Sequence, residues 1–523
     1  MQQVDNIPIK ERALRNISYS LLSFGWPVLI ALFITPLIVT NLGIKEYGIY
    51  IFISTLISLA GLLDLGISTA FSKFISERHG SNNHESLKNL LKTANTMLII
   101  IGMVGASLII SSIFVGYISI PTDIMSEYFI YLPAFIYAGL IFFINSINSI
   151  HVIIPNAYQR FDISSKIGII FITIQQIGIL IITLLKGSVN NIFLLQLILV
   201  LIFYFIYKKY ALIILDEKDH RFIDTYGWDR SEAIKCYKFG ITLFFNNLAG
   251  SSLTYLDRMI IPIFIGPSNL TYYSLPGSLA GKIPSLSGTL SAVVFPMTAN
   301  FEGGGNRNMT KNLYLRSMRL ITIISTGIAI TLIAFGYQIL QYWISPDLAN
   351  KASGVLIILT LTNLIIAITN PLNNFLLGMG KLRPLTTTSV FTAILNAILL
   401  ILLLPRFGII GAAWAYLLAF IPYIFLIYKT EKHYLELTFR RNHYLKLMSQ
   451  LLFTSTSVFL IDVFLIKPFI NNFVLVLTAL SISFIAFIVL HYIYGFFEKE
   501  DSHDILMYIK QMTHKPINHF NKK

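Results

Sequence analysis

The chain has 523 residues, 55% of them hydrophobic and only 12% charged, with a mean hydropathy of +0.71. Soluble domains carry about 25% charged residues, so this composition excludes a soluble protein and indicates a polytopic membrane protein. The single cysteine, Cys236, excludes an intramolecular disulfide framework and a multi-cysteine metal cluster, and the ten histidines form no HExxH or other close ligand pair.

Residues 1–17 are polar and read as a cytoplasmic amino terminus. The apolar run that follows lacks a small-residue cleavage site, so it is an uncleaved first span rather than a signal peptide. With about 20 mostly apolar residues per helix, spans fall near 18–41, 48–67, 91–118, 129–153, 163–185, 191–214, 240–265, 272–297, 317–339, 353–377, 386–404, 408–428, 445–466 and 472–494. The fold class is therefore an all-α polytopic membrane protein of about 14 transmembrane helices. It divides into a first six-helix bundle over 18–214, a cytoplasmic linker 215–239 and a second six-helix bundle over 240–428. A connection 429–444, two additional helices within 445–494 and a cytoplasmic tail 495–523 complete the chain.

The distribution of basic residues tests the count, since one missed span would scramble every later loop. Odd-numbered connections carry only Lys45, Lys186, Lys351, Arg406 and Lys467. The amino terminus, the even connections with the helix ends beside them, and the tail hold most of the others, including Lys73, Arg78, Lys208, Lys209, Arg307, Lys381, Arg440 and Arg441. Both termini are thus expected in the cytoplasm. The net charge of +14 follows from topology and contact with anionic lipid, and no nucleic-acid partner is expected. Outer connections are too short for a catalytic domain, and no phosphate loop, nucleophile elbow or metal motif is present, so no catalytic or metal-binding residues and no enzyme activity are expected. A membrane glycosyltransferase or polymerase would need a substantial outer loop, which is lacking. The remaining energy source is a gradient, which makes Na+ or H+ coupling the only cofactor-like requirement.

Leu42, Gly43 and Tyr50 in LGIKEYGIY match Ile265, Gly266 and Tyr273 in IGPSNLTYY at an offset of 223 residues. Both stretches join an outgoing to a returning span. An even number of spans separates them, so the two bundles are expected to be related by a pseudo-two-fold axis along the membrane normal. Within the second of these stretches charge sits inside apolar sequence. Asp257 and Arg258 precede the run 259–265, and Lys282 lies in the run that reaches Met297. Charged groups at bilayer depth are costly unless paired or facing a polar cavity, and are functional candidates by default.

Four stretches, NLGIKEYGIY, LLDLGISTAFSKFISE, YLDRMIIPIFIGPSNLTYYSL and LPRFGIIGAAWAYLLAF, resemble in order and spacing the bacterial polysaccharide (O-antigen and exopolysaccharide) flippases of the multidrug/oligosaccharidyl-lipid/polysaccharide exporter superfamily. The resemblance covers most of residues 10–430. It implies alternating access in the bacterial cytoplasmic (inner) membrane and movement of an undecaprenyl-pyrophosphate-linked oligosaccharide from the inner to the outer leaflet. Membrane lipid, and a polymerase and glycosyltransferases of the same pathway, are the implied partners. A cation-coupled multidrug exporter of the same superfamily is the rival reading; it favours an acidic cavity, whereas the buried charges here are one acid and two bases.

Arg258 suits a pyrophosphate because a guanidinium binds phosphate oxygens in a bidentate manner. Lys282 adds a second positive point, and Asn246 and Asn247, three turns before Arg258, are candidates for sugar hydroxyls. Asp257 is assigned to ion coupling or to charge pairing with Lys282, at similar depth. Asp64, nine residues before Lys73, is either an ion-coupling acid or an interfacial acid that tethers a helix end. Gln175, Gln176, Asn370 and Asn373 fit either substrate contact or interhelical hydrogen bonding. His151 reads as a packing residue with proton sensing as its alternative, and Asp462, one turn before Lys467, as a group snorkelling to the outer surface.

Overall fold

The computed structural model describes residues 9–80, 84–119, 129–158, 160–215, 225–435 and 441–496, with the side chains of all of these except 9–24, 79–80, 114–119, 242–254 and 441–444. Every regular element among the described residues is helical, as the composition predicts. Most of the amino-terminal segment 1–17 and of the tail 495–523 falls outside the described residues.

Hydropathy sets the helices, and local chemistry sets their ends. Helices α1 (Ile9–Leu42) and α2 (Ile44–Ala60) are separated only by Gly43, whose φ of +90° lies in the left-handed region that favours glycine. A 3-10 turn (Gly61–Asp64) leads into α3 (Ile67–Gly80), which is followed by α4 (His84–Ser119), α5 (Leu132–Ala157), α6 (Phe161–Leu184) and α7 (Val189–Ile214). Ser188 and Asn191 form a capping box at the start of α7. Asp229 caps α8 (Arg230–Ile265), accepting from the amides of Ser231 at 2.8 Å and Glu232 at 3.2 Å. Then come α9 (Pro267–Ala280), α10 (Lys282–Ser291), α11 (Val294–Gly303), α12 (Arg307–Trp343) and α13 (Pro346–Gly378). The last helices are α14 (Leu382–Ala419), α15 (Ile421–Lys429), α16 (Arg441–Ile461) and α17 (Phe473–Ile493), with a π-helical turn at Asp462–Ile466.

Eleven helical stretches among the described residues are long and apolar enough to cross a bilayer. The difference from the fourteen predicted spans has local causes. Leu382–Tyr434 counts once, yet Gly408 (φ 58°, ψ −144°) breaks it where the sequence separates spans 386–404 and 408–428. The seventh span lies within α8, where the side chains of 242–254 are outside the described set. The eighth is divided into the short helices α9, α10 and α11, because Gly281 and the stretch around Ala292 interrupt it.

Contacts gather the chain into two compact units, one of Met1–Ser274 with Ser389–Ala415 and one of Leu275–Thr388 with Tyr416–Lys523. In the first unit, α5 packs between α4 and α7, and α1 lies on α6. One core cluster centres on Phe71, Leu90, Leu98 and Ile154, another on Ile53, Phe135, Ile141 and Phe193. Gly66 (φ +73°) meets Gly240 so closely that a Cβ on Gly66 would stand 2.7 Å from the Gly240 carbonyl oxygen, which lets α3 approach α8. In the second unit, α12 and α13 form the central pair, with α10 and α11 against α13. The two additional helices belong to this unit: Phe487 of α17 lies 2.8 Å from where a Cβ on Gly327 of α12 would be.

Candidate functional site

The first unit brings the two echoed stretches together. Gly266 has φ 88° and ψ 158°, almost the dihedrals of Gly43 (φ 90°, ψ 156°), so both turns reverse the chain in the same way. Thr271 Oγ1 donates to the Ile44 carbonyl at 2.7 Å, and Gly48 packs directly on the Pro267 carbonyl. A side chain at 48 has no room there. Behind the turn stand Tyr47, Tyr50 and Phe193, with ring centroids 5.9 and 5.8 Å apart in succession, and Gln196 Nε2 donates to the Tyr50 hydroxyl at 3.4 Å.

Asp257 lies deeper on α8 and is 2% exposed. Its carboxylate accepts from the Tyr273 hydroxyl on one oxygen and from Asn396 Nδ2, at 3.2 Å, on the other. Asn396, on α14, is fully buried, and its Oδ1 has no hydrogen-bond partner among the described residues. A carboxylate beside an unoccupied amide oxygen is a pair of hard oxygen donors, chemistry that suits a proton or a small hard cation. No group of three or more His, Cys, Asp or Glu gathers here or elsewhere among the described residues.

Arg258, the next residue, is half-buried, and its guanidinium stands close enough to Asp257 and Tyr47 for its field to act on both. Among the described residues it makes no hydrogen bond or ion pair by ordinary distance limits. Lys282, described within its own unit, is the first residue of α10, is exposed, and has no carboxylate of that unit within ion-pairing distance among the described residues. The side chains of Asn246 and Asn247 lie outside the described residues. Asp64 acts locally, since its carboxylate accepts from the Ser68 amide at 3.2 Å and the Ser68 hydroxyl at 2.7 Å, holding the start of α3 after the turn at Leu65 and Gly66. That is the helix-tethering alternative of the two considered for it.

Other polar candidates take structural partners. Asn370 Nδ2 donates to the Pro284 carbonyl at 2.9 Å and to Ser287 Oγ at 3.3 Å, between α13 and α10. His151 is buried with its ring edge-on to Tyr204, centroids 5.2 Å apart. Gln175 and Gln176 are half-buried, and Asn373 keeps a buried Oδ1 with no partner among the described residues. Asp462 corrects its sequence reading. It does not reach outward beside Lys467 but is fully buried, accepting from Ser483 Oγ of α17 at 2.6 Å, because the π-helical turn it opens rotates it toward the neighbouring helix. Tyr273 and Asn396 were missed as partners of Asp257. The signal for Asn396 was present, since it is an isolated amide in the apolar span 386–404.

Comparison with known proteins agrees with this architecture. A putative O-antigen transporter of Shigella flexneri is 21% identical over 412 residues, covering 76% of this chain and 93% of its own length. A probable flippase, AglR, of Haloferax volcanii is 24% identical over 191 residues, 36% of this chain and 40% of that protein. Among solved structures, the lipid II flippase MurJ in an inward closed conformation superposes with a TM-score of 0.72 at 16% identity over 91% of this chain and 98% of that one. An inward-facing multidrug resistance MATE family transporter of the MOP superfamily follows at 0.64, 14% identity, 80% of this chain and 98% of its own; both likenesses are of fold. Residues 243–402 match the MatE family model. The model described as polysaccharide biosynthesis protein matches residues 13–302, more than half of the chain, and the chain belongs to that family, as the four sequence stretches imply.

Proposed function

We propose that this protein flips a polyprenyl-pyrophosphate-linked oligosaccharide repeat unit from the inner to the outer leaflet of the bacterial cytoplasmic membrane, by alternating access, for surface polysaccharide synthesis. The family match over residues 13–302 carries this reading, and the O-antigen transporter and flippase relatives are in accord with it. The MatE match over 243–402 keeps a cation-coupled multidrug exporter as the second reading, but it covers less of the chain.

In this reading Arg258 binds the pyrophosphate. Its guanidinium is half-buried, and a charge-assisted hydrogen bond out of bulk water is stronger than one within it. Lys282 supplies a second positive point, and Asn246 and Asn247 meet sugar hydroxyls. Asp257, held by Tyr273 and Asn396, takes up Na+ or H+ and so links a gradient to the conformational cycle. Undecaprenyl pyrophosphate is the lipid expected in bacteria, with the polymerase and glycosyltransferases of the pathway as partners.

The test is a deletion strain of the native host. Surface polysaccharide should disappear while its lipid-linked repeat unit accumulates at the inner leaflet, inaccessible to a sugar-modifying enzyme added outside. Loss of polysaccharide without that accumulation overturns flipping as the function.

A further inference from the structure

Within the first unit, polar side chains that make no hydrogen bond among the described residues converge on one cavity. The stretch INSINS on α5 supplies two of them, and its residues divide by face. Ser146 turns to α4 and donates to the Leu98 carbonyl at 2.7 Å, whereas Asn145, Asn148 and Ser149, three and four residues apart, share another face. That face borders a cavity of about 390 Å³, within the size range of small-molecule pockets. Phe203 and Tyr207 of α7, one turn apart, and Phe171 of α6 line it as well.

Asn148 is only 7% exposed, and its Oδ1 has no hydrogen-bond partner among the described residues. The Asn145 amide and the Tyr207 hydroxyl make no hydrogen bond among the described residues either. Buried polar groups in apolar spans are ordinarily satisfied by a neighbouring helix, as Ser146 is. Here the partner has to come from the cavity. The lining fits a neutral polyol: an amide sets a donor and an acceptor side by side, matching two adjacent hydroxyls, and a phenol adds a third polar contact. Phe171 and Phe203, edge-on with centroids 5.0 Å apart, add aromatic surface whose negative face suits the C–H side of a sugar ring. None of the lining side chains is charged, so neither a pyrophosphate nor a drug cation meets a counter-charge. Tyr207 directly precedes Lys208 and Lys209, which places the cavity toward an end of the bundle that carries a basic connection.

We propose that this cavity is a sugar subsite that receives one pyranose ring of the lipid-linked oligosaccharide, through residues other than those assigned to the pyrophosphate. The inference rests on the flippase reading and locates part of its selectivity for sugar in α5 and α7.

The test measures two ligands on the purified full chain in lipid nanodiscs: the lipid-linked repeat unit extracted from the deletion strain, and undecaprenyl pyrophosphate without sugar. The natural protein should bind the sugar-bearing lipid more tightly. Asn148→Leu keeps the side-chain volume and removes the amide. It should weaken binding of that lipid about tenfold and leave the bare lipid unchanged. The melting temperature without ligand should not fall, since no protein hydrogen bond is lost. Tyr207→Phe removes one hydroxyl, should weaken the sugar-bearing lipid about threefold, and decides the question if Asn148→Leu does not fold. Equal affinity of the natural protein for both lipids, or variants that weaken both alike or neither, assign the cavity to packing or bound water; the subsite is then overturned while flipping stands. If the lipid-linked unit does not accumulate in the deletion strain, or the natural protein binds neither lipid, the flippase reading falls and the subsite with it.

Discussion

The hydroxyl of Thr271 donates to the carbonyl of Ile44 at 2.7 Å, and the carbonyl of Pro267 packs on Gly48. Positions 44 and 48 correspond to 267 and 271 at the 223-residue offset, so one contact is made twice with its roles exchanged. A local two-fold relation of the echoed stretches is therefore visible in the first unit. It predicts an asymmetric tolerance. Gly48→Ala places a Cβ inside the Pro267 carbonyl and should cost about 1–3 kcal/mol through overpacking, lowering the melting temperature and membrane abundance. Thr271→Val removes one hydrogen bond and should cost only about 1 kcal/mol. Comparable stability for wild type and Gly48→Ala would mean that this contact is not a fixed part of the fold.

The distribution of basic residues predicts fourteen spans with both termini in the cytoplasm. A reporter active only in the cytoplasm should be silent when fused after Ser188 and strong when fused after Lys218. The opposite pattern would invert the topology.

Cys236, in the connection before the seventh span, is buried beside Ala233 and near Glu232, whose carboxylate is paired with Arg78 and Lys235. Burial first, and then the Glu232 charge, push its thiol up to about 12 from an ordinary value of 9. The thiolate is the reactive form, so at pH 8 the folded protein should react with maleimide about a thousandfold more slowly than the unfolded chain. The sign is fixed by the upward shift: folded-state labelling should keep rising from about pH 10 to pH 12, where an ordinary thiol has levelled off. Rapid labelling at pH 8 without detergent denaturation would contradict the burial. If labelling is slow, the natural chain is a quiet background for single cysteines introduced elsewhere.

Much of the fold was legible because it depends on local signals. Hydropathy located the helices, and Gly43 and Gly266 marked matching turns, since a positive φ is a property of one residue. What depends on direction around a helix was not legible. Asp462 lies near Lys467 in sequence, so depth alone suggested an exposed acid; the π-helical turn that rotates it onto Ser483 leaves no trace in composition. The pairing of Asp257 with Asn396 joins residues 139 apart, and no periodicity within either helix points across that gap. Arg258 and Asp257 were recognisable because charge inside apolar sequence is costly wherever it points.

The final prediction separates binding of a pyrophosphate from structural pairing at those two residues. Arg258 makes no ordinary ion pair among the described residues, so Arg258→Ala should abolish surface polysaccharide while protein level stays near normal. Arg258→Lys should restore transport only in part, because the charge returns without the bidentate fork. Asp257 behaves differently, as its carboxylate satisfies both Tyr273 and Asn396. Asp257→Asn keeps an oxygen acceptor but removes the charge, so abundance should hold while any dependence of transport on Na+ or pH is lost. Asp257→Ala leaves a buried hydroxyl and amide without an acceptor, and stability should fall by about 1–3 kcal/mol. The double variant Asp257→Asn with Lys282→Gln completes the test. A purely structural charge pair tolerates joint neutralisation, whereas a site that needs positive charge for an anionic lipid and an acid for coupling does not. Full transport by that double variant, or by Arg258→Ala at normal abundance, would remove these residues from the proposed mechanism; a parallel fall of abundance and activity in Arg258→Ala would assign the arginine to folding instead.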